Sequence, residues 1–133
     1  DWAIHPASLT AVLLDLQRRY PRLPALVVTE NGAAFDDVPT PDPAADGAGA
    51  YLPDRARIDY LADHLTAVDD AAAAGVDVRG FFHRGLTDAW EGSEGFTRQF
   101  GLVRVDPDSM ERTPRASFDF FRQVIAAHRR FRT

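Results

Sequence analysis

Two groups of residues in this chain have the types and spacing to do chemistry. Glu30 and Asn31 end a short apolar run, Ala25-Leu26-Val27-Val28-Thr29. His83, Arg84, Asp88 and Glu91 follow a second run, Val76-Asp77-Val78-Arg79-Gly80-Phe81-Phe82. Polar side chains just past the C-terminal ends of parallel strands are the usual working positions of α/β folds. A pair of carboxylates in one such mouth suits a reaction through an oxocarbenium-like transition state, which needs a base or nucleophile and an acid. On the residues alone two readings of Glu30 stay open, a reacting carboxylate and a surface carboxylate at a strand end.

The elements that must position these groups can be read from periodicity. From Pro6 to Tyr20, Leu9, Val12, Leu13 and Leu16 fall on one helical face, with Pro21 as a stop. The run ending at Thr29 does not alternate with polar residues, so both of its faces are expected to be buried, as in a parallel strand. Pro39, Pro41 and Pro43 forbid a regular helix or central strand, and 33–53 reads as a long surface loop. Asp54 opens a second helix with Ile58, Leu61, Leu65 and Val68 on one face and Gly75 beyond its end. Val76–Phe82 reads as the second strand, and 83–99 as a polar loop. Phe100–Val105 is expected to extend as a short strand turned by Asp106-Pro107-Asp108. Pro114 to Phe131 reads as the last helix, with Phe118, Phe121, Val124, Ile125 and His128 at helical spacing.

Helices alternating with buried strands predict a parallel α/β architecture. Two main strands cannot close a barrel, so the pattern is that of an incomplete one, and a chain that starts in mid-pattern at Asp1-Trp2 reads as an excerpt.

Composition narrows the partners. The chain has 133 residues, 45% of them hydrophobic and 26% charged, which is ordinary for one globular domain. There is no cysteine, so disulfides and thiolate metal sites are excluded. Fifteen basic residues, all Arg, against 20 acidic ones leave a net charge of −5 and no electrostatic footprint for nucleic acid. Arg129, Arg130 and Arg132 cluster where a helix end favours cations. No apolar stretch approaches the ~20 residues that span a bilayer, so no membrane role is expected, and a cytoplasmic location is the default. His5, His64, His83 and His128 lack metal-ligand spacing, and no phosphate-cradling glycine loop or G-x-S-x-G elbow occurs, so neither metal nor cofactor is expected. His64 and His128, on helices, read as satisfied or half-exposed side chains. Gly47-Ala48-Gly49-Ala50 is loop composition.

Thr29-Glu30-Asn31-Gly32, preceded by Leu26-Val27-Val28, resembles the nucleophile motif of family 1 glycoside hydrolases, the β-glucosidases and their relatives. The likeness continues in order along nearly the whole chain. Trp2, Pro6 and Leu9 resemble the segment before that strand, and Asp54, Arg57-Ile58, Tyr60-Leu61 and His64-Leu65 the helix after it. Gly75-Val76 and Gly80-Phe81-Phe82 resemble the last barrel strand. Gly95-Phe96, Phe100-Gly101, Val105-Asp106, and Arg112-Thr113-Pro114-Arg115 with Ser117 resemble the closing segment.

The resemblance implies a (β/α)8 barrel of which residues 1–133 form an incomplete domain, supplying the seventh and eighth βα units. It implies that Glu30 is the nucleophile and that Glu91 binds glycone hydroxyls. Asn31, His83 and Arg84 are the other candidate substrate contacts. Phosphoglycosidase relatives carry Ser at the position of Glu91, so an unphosphorylated β-glycoside is the implied substrate. Asp88 is expected to be structural and Trp90 to pack in the core. The chain departs from the family pattern at Arg84-Gly85, where Trp-Ser is usual, at Ala89-Trp90, and at Gly92, where a second Trp is usual. No Asn-Glu-Pro, the family's acid/base motif, occurs in it. The chain alone is therefore expected to be inactive, and its implied partner is the N-terminal part of the barrel. A non-catalytic remnant and a self-associating module are the alternative readings.

Overall fold

The computed structural model describes residues 3–41 and 50–130. Trp2, Pro43, the 47–49 part of the glycine-alanine stretch, Phe131 and Arg132 lie outside them, as does the Arg130 side chain. The elements run α1 (Ala7–Arg19), β1 (Leu26–Asn31), β2 (Thr40–Pro41), β3 (Ala50–Tyr51), α2 (Arg55–Ala73), β4 (Val78–His83), β5 (Val103–Val105), β6 (Arg112–Pro114) and α3 (Ala116–Arg130). The chain divides into two compact units. One takes the residues up to Asn31 together with Asp59–His83, and the other takes Gly32–Ile58 together with the residues from Arg84 onward.

The first unit is a βαβ arrangement in the making. β1 and β4 pair in parallel, with Leu26 opposite Val78, Val28 opposite Phe81, and Asn31 opposite His83. Parallel neighbours require a long crossover, which α2 supplies. The two backbones approach closely where Gly80 faces Val27, since a Cβ on Gly80 would lie 3.0 Å from a Val27 methyl. Leu13 of α1, Ala71 of α2 and Val76 form the buried centre, with Leu9, Leu26, Val68 and Val78 packed on it. Thr10 Oγ1 also donates to the Ala67 carbonyl at 2.8 Å, tying α1 to α2. Gly75, at φ +98°, ends α2 as its spacing predicted, and Val76 N–H returns to the Ala71 carbonyl.

Burial corrects two expectations. β1 is not covered on both faces, because its residues alternate between half-buried and exposed as far as Thr29, and Val27 is 46% exposed. The physical reason is that only the face carrying Leu26 meets the core built with α1 and α2, and the face carrying Val27 and Thr29 is left exposed. Val12, assigned to the packed face of α1, is 55% exposed, and the helix buries Leu13 alone.

In the second unit, the stretch read as a plain loop contains a short antiparallel pair, Thr40 opposite Tyr51 and Pro41 opposite Ala50. Arg112–Pro114, read partly as the start of the last helix, instead forms β6 and pairs antiparallel with β5, Val103 opposite Pro114 and Val105 opposite Arg112. The polar Arg-Thr-Pro triplet carries no strand pattern, so periodicity could not find it. The turn between these strands is held by Asp106, whose Oδ1 accepts from Asp108 N, Ser109 N and Ser109 Oγ at 3.0–3.1 Å.

Candidate active site

Glu30 and Asn31 are the last two residues of β1, and His83 is the last of β4. The register sets Asn31 directly against His83. The strand pairing thus brings two of the sequence-predicted site residues together at the C-terminal ends of two parallel strands, where side chains of an α/β fold are available for chemistry. Glu30 is exposed there, and Asn31 is half-buried.

Tyr60 of α2 neighbours Asn31. Burial pushes the Tyr60 pKa up, and the Asn31 side chain partly offsets that effect. The Tyr60 ring stacks on the His64 ring, with centroids 3.9 Å apart. His64 is buried, and its Nδ1 lies 2.8 Å from the Tyr60 carbonyl. A carbonyl only accepts, so Nδ1 carries the proton. His64 is thus a satisfied buried histidine one layer behind the strand end, while His128 is exposed on α3.

The second unit positions the other candidates. Arg84 Nη2 donates to Glu91 Oε2 at 2.5 Å, and the Arg84 guanidinium carbon sits 4.1 Å from the centre of the Phe100 ring. Glu91 itself is fixed by a tight turn, in which its N–H donates to the Gly95 carbonyl at 2.8 Å and the Gly95 N–H returns at 2.7 Å. Gly95 adopts φ +62°, the left-handed conformation that glycine takes at least cost.

Asp88 anchors the loop between Arg84 and Glu91. Its carboxylate accepts from Gly101 N at 2.8 Å, Val105 N at 3.3 Å and Arg115 Nη2 at 2.9 Å. Gly101 is required at that approach, because a Cβ there would fall 2.3 Å from the Asp88 nitrogen. Arg115 is buried, as is Arg57, and both reach one oxygen of Asp37, from Arg57 Nη1 at 2.5 Å and from Arg115 Nε at 2.8 Å. Asp54 takes a second Arg57 contact at 2.8 Å, and it also accepts from Ser117 N at 2.9 Å and Ser117 Oγ at 2.5 Å. Gln99 completes the cluster, its side-chain oxygen on Arg115 and its carbonyl on Arg57, each at 2.7 Å.

Sequence reasoning missed Asp37 and Gln99. The only available signal was that two arginines within apolar helical surroundings need buried carboxylates, and nothing in the sequence said which. Trp90 is a correction. It is not in the core but 65% exposed, because it and Phe96 flank the Glu91–Gly95 turn and pack edge-on against each other at 5.4 Å.

Among the described residues no group of three His, Asp or Glu side chains could hold a metal ion, and no helix is long and apolar enough to cross a membrane. A groove of about 440 Å³ between α1 and α2 is lined by residues such as Pro6, Thr10, Asp63 and Asp70 and contains none of the candidate residues.

The fold has clear counterparts. A psychrophilic β-glucosidase from Micrococcus antarcticus aligns over 95% of this chain and 25% of its own, with a TM-score of 0.84 and 38% identity. A family 1 β-glucosidase from Thermotoga maritima aligns over 94% of this chain and 26% of its own, with a TM-score of 0.84 and 34% identity. Both are (β/α)8 barrels, so the two-stranded parallel unit is an α/β piece consistent with part of such a barrel. The model of glycosyl hydrolase family 1 matches residues 1–130, and the chain belongs to that family. Among its relatives, a bifunctional β-D-glucosidase/β-D-fucosidase from Bifidobacterium breve is 44% identical over 96% of this chain. A 6-phospho-β-galactosidase from Lacticaseibacillus rhamnosus is 34% identical over 96%. The chain spans about a quarter of the length of each, 27% and 26%.

Proposed function

We propose that this chain is the C-terminal part of a retaining β-glycosidase, an incomplete domain supplying the seventh and eighth βα units of the barrel, with Glu30 as the nucleophile. The observation that carries the reading is the placement of Thr29-Glu30-Asn31 at the C-terminal end of a parallel strand, with Asn31 in register with His83. In the reaction the Glu30 carboxylate attacks the anomeric carbon and forms a glycosyl ester as the bond to the leaving oxygen breaks. A second carboxyl about 5–5.5 Å away protonates that oxygen, then takes a proton from the water that hydrolyses the ester. The chain has no Asn-Glu-Pro, so the acid/base comes from the rest of the barrel, and the chain by itself is inactive.

Glu91 binds hydroxyls of the glycone in this reading, with Asn31, His83 and Arg84 as further contacts. Its negative charge disfavours a phosphorylated sugar, since like charges brought together in a partly dehydrated site repel. An unphosphorylated β-glycoside is therefore the substrate, despite the 6-phospho-β-galactosidase relatives.

The experiment is to replace Glu30→Gln in the complete barrel and to expose the unsubstituted barrel to a slow-reacting 2-fluoro glycoside. Turnover should fall by at least about a thousandfold, since loss of a nucleophile removes the covalent route. The peptide containing Glu30 should gain the glycosyl mass. Unchanged turnover in the variant would end this assignment.

One observation favours a second reading, a barrel piece that has lost sugar binding. Arg84 already occupies Glu91, and Gly92 stands where the family pattern has Trp. Calorimetry with short glycosides on the complete barrel separates the two, because saturable binding contradicts decay.

A further inference from the structure

We propose that Arg84 is a specificity-determining residue: it engages one oxygen of the Glu91 carboxylate, leaves Glu91 one uncontested oxygen for a glycone hydroxyl, and so tolerates glycones that lack the neighbouring one. This role rests on the reading of Glu91 as the glycone-binding carboxylate.

A carboxylate has two oxygens, and in a sugar site each can accept from a different hydroxyl. Here Arg84 Nη2 lies 2.5 Å from Oε2, and among the described residues no other donor reaches the Glu91 side chain. The contact is charge-assisted, and such hydrogen bonds are about twice as strong as neutral ones. A carboxylate oxygen can accept more than one hydrogen bond, as Asp106 Oδ1 does. A neutral hydroxyl that reaches Oε2 nevertheless shares it with a charged donor and is bound the more weakly for it. Arg84 is also fixed from its other side, since its guanidinium lies over the Phe100 ring at 4.1 Å, a cation–π geometry. The pair is partly shielded, with the Arg84 side chain 37% and that of Glu91 20% exposed.

Gly92 removes the other means of aiming the carboxylate. A Cβ at Gly92 would meet nothing within 4 Å, so no wall from that residue packs beside Glu91. The carboxylate is aimed by Arg84 and by the Glu91–Gly95 turn. Oε1 is left as the uncontested acceptor for the sugar. A site with one acceptor in place of two loses little when the second hydroxyl is missing. A site built to bind both would leave a polar group unsatisfied and discriminate strongly.

The test uses the complete barrel and a set of aryl β-glycosides, the parent hexoside and its single-deoxy analogues at each ring position and at C6. The reading is kcat/KM for each analogue relative to the parent. Relative to the unsubstituted barrel, Glu91→Gln should change that ratio at one position only. Arg84→Met keeps an unbranched stem against Phe100 but removes the cation. It should create a new penalty, about tenfold or more, at a second position, the cost of a lost hydrogen bond to a charged group, and leave other positions within about threefold. Arg84→Lys, which keeps the positive charge, should stay near the unsubstituted pattern.

If Arg84→Met hydrolyses the parent but shows the original deoxy pattern, the proposal is overturned while the glycosidase reading stands. If Arg84→Met does not fold, Glu91→Gln decides alone, and ratio changes at two positions refute the proposal. If the unsubstituted barrel hydrolyses nothing, or its turnover survives Glu30→Gln, the underlying glycosidase reading fails and the role of Arg84 fails with it.

Discussion

At Asp37 a single carboxylate oxygen serves two buried guanidinium groups, those of Arg57 and Arg115. A buried ion pair adds little over apolar packing, yet breaking one is costly, because the remaining charge loses its compensation. Asp37→Asn should therefore destabilise the protein by about 3–5 kcal/mol, read by urea denaturation of the complete barrel. A loss under about 1 kcal/mol would mean that Asp54, Asp88 and Gln99 already satisfy both arginines. Gly101→Ala should be comparably severe for a steric reason. Its Cβ would fall 2.3 Å from the Asp88 nitrogen and 2.4 Å from the Thr87 carbonyl carbon, both backbone atoms that cannot swing aside. An expected cost of about 3 kcal/mol reflects overpacking at a rigid contact. Glu30 and Glu91 were legible as reactive candidates because strand ends and carboxylates leave a mark in the sequence. Asp37 was not legible, since it sits beside Asp36 ahead of a proline-rich stretch, and only the fold selects which of the two turns inward.

Helices and hairpins link these residues, and here sequence pattern succeeded where periodicity was long. α1, α2, β1 and β4 lie where apolar spacing and the Gly75 stop put them. β6 and the β2–β3 pair escaped because two- and three-residue strands have no measurable period. Asp54 shows how one residue joins two elements: it precedes α2, and its carboxylate accepts from the backbone N–H of Ser117 in the first turn of α3. That N–H has no partner within its own helix, and a negative charge at a helix start is favourable. Asp54→Ala should cost at least about 2 kcal/mol, above an ordinary cap, because Arg57 also loses a partner. Faster amide exchange in the first turn of α3 than in its middle would confirm the mechanism, and uniform exchange would contradict it. The β5–β6 turn offers a pH counterpart. The Ser109 and Asp108 N–H groups, the Ser109 hydroxyl and Arg104 hold the Asp106 carboxyl below the ordinary carboxylate pKa. A depressed pKa stabilises the fold above the unfolded value of about 3.9 and loses that contribution as pH falls through the folded value. Protection of the Ser109 amide, taken relative to its intrinsic exchange rate at each pH, should fall only below about pH 4, and a fall between about pH 5 and 7 would point to another group.

The relatives are about four times as long as this chain, and its own surface is consistent with a piece of a barrel. A parallel pair of strands is marginal without further strands, and an uncovered strand edge is a template for association. Val27 and Phe82 are 46% and 59% exposed on β1 and β4, apolar side chains of the kind a closed barrel covers. The 133-residue chain on its own is therefore expected to self-associate at micromolar concentration, with slow-exchanging amides confined to α1, α2 and the charged cluster around Asp37. Co-expression with the remaining strands of a family 1 barrel should convert it to a discrete species whose β1 and β4 amides become protected, and hydrolysis should appear only in that species. Sedimentation velocity with hydrogen exchange reads both changes. A monodisperse monomer with fully protected β1 and β4 amides would show that the two strands need no further partners. The incomplete-barrel reading would then give way to that of an independent domain.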